Sequence, residues 1–93
     1  MRMKIGELYQ WTPLRHKVDC HYIWIDPRDN GHIVDPARYF MLKPDGLVMI
    51  LETAVSSAAH IDETLYKVLT LNGEVGWVCI SAQYEENWHP ATV

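Results

Sequence analysis

Thr64-Leu65-Tyr66-Lys67-Val68-Leu69-Thr70-Leu71-Asn72-Gly73-Glu74-Val75-Gly76-Trp77-Val78-Cys79-Ile80 is the stretch on which the fold turns. Both arms are rich in β-branched and aromatic side chains, which pack well on a pleated surface. Between them stands Asn72-Gly73. A type I′ turn needs positive φ at both central residues, and Asn and Gly tolerate this best. The stretch therefore predicts an antiparallel hairpin closed by a type I′ turn.

Upstream of the hairpin, Leu47-Val48-Met49-Ile50-Leu51 shows no polar alternation. That pattern predicts a strand covered on both faces or crossing from one sheet to another, the centre of a barrel. Further back, Val18 to Ile25 and Arg38 to Leu42 read as strands, and Ile5 to Trp11 as a first strand. Turn chemistry separates them at Thr12-Pro13, Asp26 to Gly31, Asp35-Pro36 and Lys43-Pro44-Asp45-Gly46. Thr53 to Thr64 is open to two readings. Ser56 or Ser57 could cap a helix, but a helix running on to Leu69 would consume the first arm of the hairpin, so the segment reads as a long loop with one helical turn at most. Six candidate strands at this density predict an all-β barrel or sandwich.

Residues 45 to 84 resemble SH3-like domains, notably the small SH3-like proteins of tailed bacteriophages and bacteria. The resemblance lies in Asp45-Gly46-Leu47-Val48-Met49-Ile50-Leu51-Glu52, then Leu65-Tyr66-Lys67-Val68-Leu69, then Gly73-Glu74-Val75-Gly76-Trp77-Val78. It implies a small SH3-like barrel of five to six antiparallel strands, with residues 12 to 44 forming an unusually long first loop. At Gly76 the missing side chain would let a neighbouring strand or ring approach, and Trp77 would supply an apolar anchor. Eukaryotic members carry an Ala-Leu-Tyr-Asp-Tyr-like first strand and a proline after the Gly-aromatic pair. Here Gly6 to Gln10 and Cys79 stand instead. Proline-rich peptide recognition is thus not what this resemblance implies, although Tyr66 and Tyr84 fall near the family's groove aromatics.

The 93 residues suffice for one domain, residues 1 to 93, and 48% are hydrophobic, enough for a core without metal or disulfide. Cys20 and Cys79 are far apart, and no signal-peptide pattern opens the sequence, so a reducing, cytoplasmic compartment is expected. For a phage protein that would be the host cytoplasm. The longest apolar run, Leu47 to Leu51, is far short of the roughly 20 residues of a membrane helix. A formal net charge of −4 with only eight Lys and Arg makes nucleic acid an unfavoured partner.

Ten aromatic residues are more than a small barrel buries, so some should form a surface patch. Trp24 and Trp77 are expected in the core. Tyr84 and Trp88, in a polar tail with Glu85, Glu86 and Asn87, are expected to be half exposed, and with Tyr66 they make the candidate binding patch. The alternative is a tail folded back over an open barrel end. His16, Cys20, His21, His32 and Cys79 invite a metal reading, but Cys20 and His21 on one strand point to opposite faces, and no Cys-x2-Cys spacing exists. No metal and no cofactor is expected. Cys79 with His89, or Cys20 with His60, lacks any recognisable nucleophile motif, so no catalytic residue is assigned. The carboxylates sit mostly in turns and the tail, where solvation explains them.

These readings converge on a non-catalytic protein-interaction or assembly module. A protein partner is expected, and a homo-oligomer is one way to cover strand edges and spare aromatics. Two alternatives stand beside it. One is a nucleic-acid-binding barrel, which would need Lys4, Arg15, Lys17, Arg28 and Arg38 on one face. The other is an acidic inhibitor of a host protein, which would need clustered carboxylates.

Overall fold

The computed structural model describes residues 3–13, 20–26, 36–54 and 63–91. Among them the chain forms one antiparallel sheet of seven strands and no α-helix: β1 Leu8–Trp11, β2 His21–Trp24, β3 Tyr39–Leu42, β4 Leu47–Ala54, β5 Glu63–Thr70, β6 Val75–Ser81 and β7 Trp88–Pro90. Two 3-10 segments, Pro36–Arg38 and Ala82–Asn87, precede β3 and β7. The strand order is β3-β2-β6-β5-β4-β1-β7, so the hydrogen-bonded sheet is open, with β3 and β7 at its ends. The expected five to six strands become seven. The extra one is β7, drawn from the stretch that reads as a polar tail. The loop expected between Thr53 and Thr64 falls largely outside the described residues. Of the long first loop expected over residues 12 to 44, residues 14–19 and 27–35 lie outside them, and the rest holds β2, the 3-10 segment Pro36–Arg38 and β3.

β4 is the pivot of the sheet. Its first residues pair with β1, Leu8 opposite Met49 and Gln10 opposite Leu47, while its other edge pairs with β5 along its length. A register shift between Ile50 and Glu52 bends it there. The missing polar alternation reflects its two faces: Val48 and Ile50 are buried on one, and Leu47, Met49 and Leu51 are half-buried on the other. Val48 and Ile50 point into the core and have no exposure, together with Ile23 of β2, Val68 of β5 and Val78 of β6. Each such side chain stabilises the fold by roughly 1.5–3 kcal/mol on burial.

The β5–β6 hairpin forms where the sequence places it, with Leu69 opposite Val75. Its turn is not type I′. Gly73 has φ of 84°, whereas Asp45 is the one described non-glycine residue with positive φ, so Asn72 stays on the ordinary side of the map. Thr70 accepts from the Gly73 N–H at 3.0 Å and donates its own N–H to Glu74 at 2.9 Å. This is a three-residue loop, a turn followed by a left-handed glycine, which satisfies strand twist with one positive φ instead of two.

Gly76 behaves as its sequence context suggests. A Cβ there would lie 2.5 Å from Ile23 Cγ2 and 2.9 Å from the Trp24 carbonyl oxygen, so its absence is what lets β2 approach β6. Trp24 and Trp77, cross-strand partners in that approach, divide a second expectation: Trp24 is among the buried hydrophobic residues as expected, and Trp77 is not. Strand alternation turns them to the face opposite Ile23 and Val78, and neither belongs to the main core cluster, although Trp24 is buried and Trp77 half-buried.

Candidate interaction surface

The expected patch of Tyr66, Tyr84 and Trp88 divides between core and surface. Tyr66 is 3% exposed and Trp88 2%, whereas Tyr84 in the 3-10 segment is 41% exposed. Trp88 is therefore a core residue, correcting the half-exposed expectation. The reason is β7. Trp11 opposite Trp88, Gln10 opposite His89 and Tyr9 opposite Pro90 lay the tail along β1 as an edge strand, where Pro90 needs no ladder donor. Its ends are tied by Thr12 N–H to Asn87 O at 2.8 Å and Ala91 N–H to Leu8 O at 2.9 Å. Tyr66 and Trp88 share a small crevice with Met3, Ile80 and Glu85, and the Tyr66 hydroxyl accepts from the Met3 N–H at 3.4 Å. Met3 is itself buried, so this pair of rings is closed to a partner.

The histidine that invited a metal reading sits between rings instead. His21 lies 5.5 Å from Trp11 and 5.3 Å from Trp88, edge-on to both. Its Nδ1 is 2.9 Å from the Tyr22 carbonyl oxygen, and since a carbonyl can only accept, the proton of the neutral ring is on Nδ1. Burial pushes its pKa below the ordinary 6.5, and the bond to Tyr22 offsets part of that shift. Among the described residues no three His, Cys, Asp or Glu side chains are grouped as metal ligands. Cys79 on β6 and His89 on β7 are separated in the sheet by β5, β4 and β1. His16, His32 and His60 lie outside the described residues, as do Arg15, Lys17 and Arg28. Of the basic set, Lys4 precedes β1 and Arg38 precedes β3, at separate places in the sheet order.

What the structure assembles at the surface is the outer face of the β2–β3 hairpin. Tyr22 stands 5.2 Å from Tyr39, edge to face, and 6.1 Å from Trp24. Met41, cross-strand from Tyr22, is 59% exposed. Tyr22, Tyr39 and Met41 alternate outward because Ile23, Phe40 and Leu42 face inward, whereas Trp24, on the same face, is buried. The backbone is also open here. Ile25 donates to Arg38 O at 3.0 Å, and alternation of bonded and non-bonded pairs then turns the N–H and C=O of Tyr39 and Met41 away from β2. No strand among the described residues pairs with them. The sequence counts Tyr22 and Tyr39 only within an aromatic excess and places Trp24 in the core. Their period-two spacing on two adjacent strands was the available signal.

Beside this face, β3 and the tip of the β5–β6 hairpin enclose an open groove of about 320 Å³. One wall holds Met41, Lys43 and Leu47, the other Leu71 and Glu74. Among the described residues no helix is long and apolar enough to cross a membrane. No protein-family model, curated protein or solved structure matches the chain.

Proposed function

We propose that this chain is a non-catalytic protein-interaction or assembly module on an SH3-like barrel, of the kind phages and mobile elements encode, acting through the outer face of β2–β3. The observation that carries the reading is the half-buried ring pair Tyr22 and Tyr39, with the exposed Met41 beside it on an unpaired strand edge. Tyr and Trp are the side chains that most often anchor interfaces, and a flexible thioether adapts to a partner's shape. The outward backbone groups of Tyr39 and Met41 add a place where an extended segment can hydrogen-bond.

The barrel part of the reading draws support from His21. Its ring contacts Trp11 and Trp88, so β2, next to the end strand β3, lies against β1 and β7 from the other end of the order, as the coiling of a barrel requires. The SH3-like part draws support from the consecutive β4-β5-β6 run, followed by a 3-10 segment and a last strand that returns to β1.

The test is native mass spectrometry of the protein captured gently from its own source, beside a Tyr39→Ser variant. A retained protein partner or defined oligomer, diminished by the substitution, is expected. Copurified nucleic acid in place of protein would displace the proposal, and so would an unaccompanied monomer.

A further inference from the structure

The groove beside β3 has two walls of complementary character. The β3–β4 wall carries an exposed thioether, Met41, and a cation, Lys43. The hairpin wall carries Leu71, which at 73% exposure is the most exposed large apolar side chain described, and an anion, Glu74. An apolar side chain held out at a turn gains nothing by its position in the isolated chain, since the loop conformation is set by Gly73 and by the hydrogen bonds of Thr70. Lys43 and Glu74 are both exposed, and among the described residues neither side chain has an ion-pair partner within the chain.

A knob and an anion on one wall, with an apolar seat and a cation on the other, describe a surface that fits its own copy. A two-fold axis across the groove sets each hairpin wall on the other copy's β3–β4 wall, because an isologous interface must be self-complementary. We infer that the occupant of this groove is a second copy of the chain, with Leu71 of each copy seated against Met41 and Leu47 of the other and Glu74 meeting the other copy's Lys43. This rests on the interaction-module reading and names the partner for one part of the surface. A foreign peptide has less to recommend it: the groove offers one charge of each sign, so neither an acidic nor a basic segment gains over the other.

Sedimentation velocity over a dilution series, with circular dichroism to confirm each fold, tests the inference on wild type, Leu71→Glu, Lys43→Glu, Glu74→Lys and the double reversal. All three positions are exposed, so the substitutions leave the core alone. The wild type is expected to be a dimer that dissociates on dilution, and Leu71→Glu a monomer throughout. Each single reversal is expected to weaken the dimer about tenfold, since it turns two attractive rim pairs repulsive, and the double reversal to restore it. A wild-type monomer at every concentration would overturn the inference. So would a dimer indifferent to Leu71→Glu, or a double reversal no tighter than the singles. A monomer that still retains a foreign protein through Tyr39 would overturn it while leaving the interaction-module reading standing.

Discussion

His21 carries its proton on Nδ1, bonded to the Tyr22 carbonyl, and presents the rest of its ring to Trp11 and Trp88. Charging it in that setting costs desolvation, which is why its pKa is lowered from 6.5 in the folded chain. The unfolded chain binds the proton more readily, so between the two pKa values the unfolded state holds more protons and stability rises with pH. The contribution of the neutral ring is fully present above about pH 6.5 and is lost as pH falls toward the lower folded value. Urea unfolding at pH 7.5 and at pH 5.5 is expected to show a lower midpoint in acid, and His21→Phe to reduce that difference. An equal pH effect in the variant would show that other groups govern it.

At the scale of elements the β5–β6 turn makes a sharp prediction. With positive φ confined to Gly73, Gly73→Ala is expected to destabilise by about 1 kcal/mol through backbone strain, while Asn72→Ala should be nearly neutral. A type I′ turn would penalise both. Thermal unfolding of the two variants distinguishes the geometries. The same hairpin shows what was legible in the sequence. Asn72-Gly73 and its flanking strands announce themselves locally, because the information lies within a dozen residues. The turn type is subtler, decided by whether the strands leave two or three residues to connect them. β7 was legible only as the alternative of a tail folded back over an open barrel end, and not as a strand: Glu85, Glu86 and Asn87 look solvated, Pro90 argues against a strand, and the pairing that buries Trp88 comes from Trp11, far away in the chain. Likewise the burial of Tyr66 and Trp88 depends on Met3, which no local pattern ties to them. Tyr84 alone of the three candidate residues lies where its polar neighbours suggest.

Over the whole molecule, aromatic contacts join β2 to β1 and β7, strands that no backbone ladder connects to it among the described residues. Trp11, His21 and Trp88 form the seam between β1, β7 and β2, and they lie against the aliphatic core of β4, β5 and β6. Trp88→Ala is expected to cost about 3–5 kcal/mol, since it removes a fully buried indole and opens a cavity at that seam. In a protein whose total stability falls in the usual range of roughly 5–15 kcal/mol, much of the margin would go. Equilibrium denaturation is the measurement, and a loss under about 1 kcal/mol would mean the seam closes without the indole.

The pairing of β1 with β7 also governs the order of events as the chain is made. A ribosome releases Leu8–Trp11 well before Trp88–Pro90, so β1 must wait with one edge unfilled until residues 88–90 are made. Loop-closure entropy makes so distant a pairing slow even once both strands are free. Nascent chains of this protein should therefore stay open to proteases and chaperones until residues 88–90 clear the exit tunnel, and then close in one late step.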